Sequence, residues 1–143
     1  MAIQFSIETK YSLKNRMLLK RWVKAVLENK GKKLGNLYFI LCDDDFLLKI
    51  NRQFLKHDYY TDIITFDYTE DGIIAGDLFI SIDRVRDNAT ALQVSEHEEL
   101  MRVMIHGVLH LLGLKDKSDE EAKQMRKAEE ECLELLKEMS KQD

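Results

Sequence analysis

The sequence predicts an α/β (α+β) fold: a small mixed sheet of about four strands packed by about five helices. Three observations carry that expectation. Short apolar runs of strand length alternate with stretches of helical periodicity. An Asp-Gly step, Asp71-Gly72, separates two β-rich runs as a hairpin turn would. Serine-led capping signals stand before the last two helical stretches.

Taken in order, residues 2–8 (AIQFSIE) alternate apolar and polar, as a half-buried strand does. Ser12 is placed to cap a helix running to about Lys30. Its apolar face would carry Leu13, Met17, Trp22, Val23, Val26 and Leu27, with Gly31 ending it. LYFILC (37–42) reads as a buried strand, and Asp43 to Asp45 supply N-cap chemistry for a helix through FLLKINRQFL. DIITF (62–66) and IIAGDLFISI (73–82) form the expected hairpin, and from Asp83 the pattern is helical again. Ser95 and Glu98 fit a capping box for a helix reaching Leu112, with Leu100, Val103, Met104, Gly107, Val108 and Leu111 as its apolar stripe. Ser118 and Glu121 fit a second box. The helix they open would turn Ala122, Met125, Ala128, Cys132, Leu135 and Met139 inward.

The totals narrow the function classes. A chain of 143 residues without proline, repeat or Gly/Ser linker is expected to form one domain over residues 1–143. Its 45% hydrophobic and 34% charged composition is that of a globular protein. No apolar run approaches the roughly 20 residues of a membrane span, and MAIQFSIETK lacks the apolar core of a secretory signal. Cytoplasmic residence and no membrane partner follow as expectations. Cys42 and Cys132 each sit in an apolar pattern and read as reduced core residues, so the sequon at Asn88 carries no meaning. A net charge of −4 excludes a protein that coats nucleic acid by charge alone. Nine acidic and five basic residues fall between Asp119 and Asp143, which reads as a solvated helix face.

The stretch HGVLHLLGLKD (106–116) carries the chemistry. On a helix His106 and His110 project from one face a turn apart, a spacing that lets two imidazoles meet one ion. Gly113 tolerates positive φ, so the chain can fold back and bring Asp116 toward the same ion from outside the helix. The layout matches the metzincin protease motif in its ligand positions, but Gly107 stands where that motif has its general-base glutamate. Ligation survives and peptidase chemistry does not. Three protein ligands leave a tetrahedral zinc one position short. A bound water there would have its pKa drawn toward about 7 and could act as the nucleophile. Nickel or manganese would also suit such a donor set.

These residues resemble the signature of the YbeY-type bacterial rRNA-maturation endoribonucleases, H-G-x-L-H-L-x-G-Y-D-H, matched at His106, Gly107, Leu109, His110, Leu111 and Gly113. Two further blocks keep family order over residues 46–121. NRQFLKHDYYTDIITF is similar to the family's N-x-x-[YF]-R…T-[DN]-V-L-S-F at Asn51, Phe54, Thr61, Asp62 and Phe66. GDLFIS (76–81) is similar to G-D-I-x-I-S. The departures are local. The family's third histidine ligand falls on Asp116, its Y-D dipeptide on Leu114-Lys115, and its arginine on Leu55.

The resemblance implies cleavage of single-stranded RNA, a role in maturing the 16S rRNA 3′ end or checking ribosomes, and small-subunit proteins or assembly factors as partners. It implies one Zn²⁺ held by His106, His110 and Asp116. Lys115 and Lys117 are candidate helpers near the phosphate, and Asp77 is a candidate to hold a ligand histidine's second nitrogen. Arg52, Lys56, Tyr59 and Tyr60 are candidate RNA contacts, the tyrosines by stacking on unpaired bases. Thr61 and Asp62 read either as catalytic or as a turn and cap at a strand start; His57 and His97 read as surface residues. Two rival readings are a non-catalytic ribosome-assembly factor with a structural metal, and a metal-dependent hydrolase of another substrate.

Overall fold

The computed structural model describes residues 1–142. Its elements follow the expected order: β1 (Ile3–Ile7), α1 (Arg16–Asn29), β2 (Lys33–Cys42), α2 (Asp44–Ile50), a π-helical turn (Asn51–Leu55), β3 (Ile63–Asp67), β4 (Ile73–Ser81), α3 (Ile82–Leu92), α4 (Glu96–Leu111) and α5 (Asp119–Lys141). The strands form one mixed sheet in the order β1-β2-β4-β3. β1 and β4 run parallel to β2, and β3 runs antiparallel to β4.

Alternation along the strands gives the sheet two apolar faces. Leu37, Phe39 and Leu41 of β2 and Ile74, Leu78 and Ile80 of β4 join the main core, beneath Trp22, Leu100, Met104 and Val108. Cys42, Leu47 and Ile64, with Phe66 and Phe79 against them, form a smaller cluster elsewhere. The Trp22 indole N–H donates to the Cys132 carbonyl at 2.8 Å, tying α1 to α5 inside the core. Both cysteines are free and buried. Burial, with Asp43 adding to it, pushes the Cys42 thiol up to about 12, and burial takes Cys132 to about 11. Both are inert at neutral pH.

Local chemistry sets the element ends. Asp43 caps α2 through Phe46 N–H, Ser95 caps α4 through Glu98 N–H, and at Ser118 the reciprocal box with Glu121 is complete. The hairpin turns at Asp71-Gly72, with φ of 52° and 75°. Positive φ at both central residues is what a two-residue type I′ connection requires. Two expectations need correction. The first helix is entered through Asn15 in the left-handed region, not through Ser12, which leaves Met17 three-quarters exposed while Leu13 is buried ahead of the helix. On α5 Met125 and Cys132 are buried and Ala128, Leu135 and Met139 pack half-buried against the core, as expected, but Ala122 is exposed and Glu129 and Leu136 join the buried stripe. Among the described residues no helix is long and apolar enough to cross a membrane.

Candidate metal centre

α4 buries Leu100, Val103, Met104, Val108 and Leu111, leaving His106 and His110 on a partly exposed flank. Their rings meet edge to face with centroids 4.6 Å apart. Gly107 between them faces the sheet. A Cβ built there would lie 2.5 Å from Leu78 Cδ2 and 2.7 Å from Ile63 Cδ1. Its absence lets α4 press onto β3 and β4, which sets how far the two imidazoles stand above the strands.

The helix stops in a Schellman turn. Gly113 N–H donates to His110 O at 2.9 Å, and Leu114 N–H donates to Leu109 O at 3.0 Å. Gly113 adopts φ 101°, outside the range an L side chain accepts without strain. Leu114 then packs on the main core, and the returning chain brings Asp116 over the histidines. Asp116 Oδ2 lies 3.3 Å from His106 Nε2 and 3.6 Å from His110 Nε2. One ligand atom from each of the three residues lies within 4.8 Å of the others.

Behind His106 is a residue that the sequence reading assigned to a solvated face. Glu129 of α5 is buried, and its Oε2 lies 2.6 Å from His106 Nδ1. Arg102 reaches Glu129 Oε1 at 3.3 Å and pairs through its other nitrogens with Glu99, itself buried. The available signal was Glu129's place on the Met125, Glu129, Cys132, Leu136 stripe, where a carboxylate needs a partner. Burial pulls the His106 pKa down, but the Glu129 hydrogen bond and the charges of Glu129, Asp116 and Asp62 outweigh it. The net shift is upward. Arg102 is held above its usual value, first by its bond to Glu99.

The donor chemistry fits a cation. A carboxylate can only accept, so neutral His106 donates Nδ1–H to Glu129 and its Nε2 keeps a lone pair. That lone pair faces the Asp116 carboxylate, a second acceptor, with His110 Nε2 beside it. The carboxylates draw positive charge to this spot, whether a proton on the His106 ring or a cation between the three side chains, and two imidazoles with one carboxylate suit a divalent transition metal.

These residues floor a cleft of about 650 Å³ that is also lined by Asn51, Leu55, His57, Tyr59, Thr61, Asp62, Thr65, Asp67 and Lys117. Asn51 shapes one rim. Its buried side chain donates to Tyr59 O at 2.9 Å, and its carbonyl accepts from His57 N–H at 3.1 Å and from Lys56 N–H. His57 and Tyr59 stack with centroids 5.1 Å apart. His57 is exposed, as the sequence predicts, and also lines the cleft; His97 is exposed and lies outside it. Asp62 accepts from Asn88 Nδ2 at 3.3 Å. Burial raises its carboxyl pKa, opposed by the charges of His106 and Arg102.

Other expected positions land elsewhere. Asp77 does not hold a histidine; it accepts from Tyr68 Oη at 3.3 Å, because β4 turns it away from α4. Arg52 is paired with Asp58, and Lys56 ends the π-helical turn in a left-handed conformation. Neither is among the residues that line the cleft, whereas Leu55, at the position of the family arginine, is. Tyr60 lies under Arg84, whose Cζ is 5.8 Å from the ring centroid. Of the two lysines, Lys117 reaches the cleft wall and Lys115 does not.

The chain is similar to known proteins over most of its length. The family model described as Endoribonuclease YbeY matches residues 3–137. A Porphyromonas gingivalis protein named Endoribonuclease YbeY is 52% identical over 123 residues, 86% of this chain and 82% of its own. A Flavobacterium johnsoniae protein of the same name is 49% identical over 134 residues, 94% of this chain and 96% of its own. The solution structure of TM1509 from Thermotoga maritima superposes with a TM-score of 0.65 at 26% identity, covering 99% of this chain and 95% of that one. The chain belongs to the YbeY family.

Proposed function

We propose that this protein is an endoribonuclease that cuts single-stranded RNA with one Zn²⁺ held by His106, His110 and Asp116. In this reading it works in the cytoplasm on the 16S rRNA 3′ end and in ribosome quality control, with small-subunit proteins or assembly factors as partners. The observation that carries the reading is the convergence of three acceptor atoms within 4.8 Å on the floor of an open cleft. Relatives that share about half of their residues with this chain are named as endoribonucleases. Zinc bound there would supply a Lewis acid for a phosphoryl oxygen and a nucleophile at neutral pH.

The chain's own residues do the rest. The His57–Tyr59 pair offers ring faces to an unpaired base. Lys117 brings positive charge to the wall beside Asp116. Asp62, whose carboxyl pKa is raised by burial, lines the same cleft and can hold or accept a proton. Metal analysis of freshly purified protein, paired with cleavage of an unpaired RNA by wild type and by His106→Ala/His110→Ala, tests the reading. Stoichiometric zinc and cleavage should both be lost in the variant; unchanged cleavage would refute it.

The charge of the cleft favours keeping the assembly-factor reading as the alternative. Asp62, Asp67 and Asp116 face one lysine, and Leu55 adds no cation. Under that reading metal stripping unfolds the loop after Gly113 and turnover does not depend on the ion.

A further inference from the structure

We infer that Glu129 is a positioning residue for the metal centre: it fixes His106 in the tautomer that presents Nε2 to the ion, and Arg102, clamped by Glu99, holds Glu129 in place. The inference rests on the metal-site reading above and extends it to α5, a helix that contributes none of the three ligands. Glu129 is 3% exposed, so its carboxylate has no solvent to satisfy it. Its oxygens go to His106 Nδ1 at 2.6 Å and Arg102 Nη1 at 3.3 Å. Glu99, 1% exposed, takes the remaining guanidinium edge in a two-point contact. The four side chains thus form a closed chain of charge, Glu99–Arg102–Glu129–His106, running from the interior to the cleft.

Two acidic groups around one arginine leave the chain one negative charge in excess, and His106 is the group that receives it. A neutral histidine without Glu129 could protonate either nitrogen, and the Nε2–H form cannot ligate. By removing that form and making Nε2 more basic, the carboxylate strengthens metal binding. A partner of this kind is worth about 10–100-fold in metal affinity. Arg102 sets the distance. Freed from it, Glu129 could leave the imidazole.

The test uses the intact chain and two readouts. Zinc affinity is measured by chelator competition on wild type, Glu129→Gln, Glu129→Leu and Arg102→Gln, with Leu136→Ala as a control on the same α5 stripe. Nitrogen chemical shifts of His106 are read in metal-free protein above the pH at which the ring titrates. We expect Nδ1–H in wild type and mixed tautomers in Glu129→Leu. Zinc affinity should fall about 10–100-fold in Glu129→Leu, less in Glu129→Gln and not at all in Leu136→Ala. An Nε2–H wild type overturns the inference even if Glu129→Leu fails to fold, and so does wild-type zinc affinity in a folded Glu129→Leu or Glu129→Gln. If His106→Ala/His110→Ala binds zinc as tightly as wild type, the metal site itself is wrong, while the tautomer result still stands.

Discussion

The two rims of the cleft are built on different principles. On the α4–α5 side the half-buried His106 is held by buried Glu129, a close-packed glycine and a chain of ion pairs that ends inside the core. On the side of the π-helical turn, Leu55, His57 and Tyr59 stand in solvent on a segment pinned chiefly by the buried Asn51 side chain. A buried rim can fix ligand atoms to a fraction of an ångström. An exposed aromatic rim tolerates different bases and shifts with its ligand. On the proposed function, geometry for an ion and tolerance for a strand are thereby separated within one cleft.

The largest effect breaks the comparison outright. His106→Ala/His110→Ala should abolish zinc binding and reduce cleavage to background while the circular dichroism spectrum is retained, because both rings lie on the helix flank and outside the core. Loss of the fold in this variant would show that the buried rim depends on the ligands themselves. Next comes Gly107→Ala. Its methyl meets Leu78 and Ile63 far inside contact distance, and overpacking of this kind costs about 1–3 kcal/mol. The denaturant midpoint should fall accordingly, and an unchanged midpoint would show that α4 can lift off the sheet freely.

On the exposed rim, Tyr59→Ala should weaken binding of an unpaired oligonucleotide by about 1–3 kcal/mol, the usual worth of one stacked base. Tyr59→Phe should keep most of it, since the ring face does the work. Equal losses in both variants would mean that the hydroxyl, which lies 3.0 Å from His57 Nδ1, matters through the loop and not through stacking.

The same division explains what could be read from the sequence. Strands, helices, the Asp71-Gly72 turn and the Ser118 box are local in origin, and short windows of residues specify them. His106, His110 and Asp116 were legible because helix pitch and one glycine turn relate them within eleven residues. Glu129 was not. It sits 23 positions from His106, and in sequence it is one acid among many on an acidic helix. Only the docking of α5 distinguishes it from the solvated glutamates beside it. Asp77 misled for the opposite reason: its motif is local, but strand alternation turned it toward Tyr68. Arg52 and Lys56 flank Leu55 within a few residues in sequence, yet of these three around the π-helical turn only Leu55 joins the cleft lining.

A smaller effect should come from Asp116→His. The exchange restores the family's third histidine and removes one negative charge from the ligand set, which makes a bound ion a stronger Lewis acid. Zinc should stay and cleavage should rise several-fold. Loss of zinc in this variant would show that the Schellman turn places a carboxylate's reach and not an imidazole's.

The smallest expected effect falls on the exposed rim. Leu55 lines the cleft at the position of the family arginine and is 41% exposed, so a long side chain has room there. Leu55→Arg adds one cation opposite the carboxylates of Asp62, Asp67 and Asp116. On single-stranded RNA one added phosphate contact should steepen the fall of log K with log salt by about 0.7. Binding should tighten at low salt, and the zinc affinity of the buried rim should stay as it was. An unchanged slope would mean that the introduced guanidinium is captured by a cleft aspartate, as Arg52 is by Asp58. The exposed rim would then select RNA by ring faces alone, with its phosphate charge met by Lys117 and the ion.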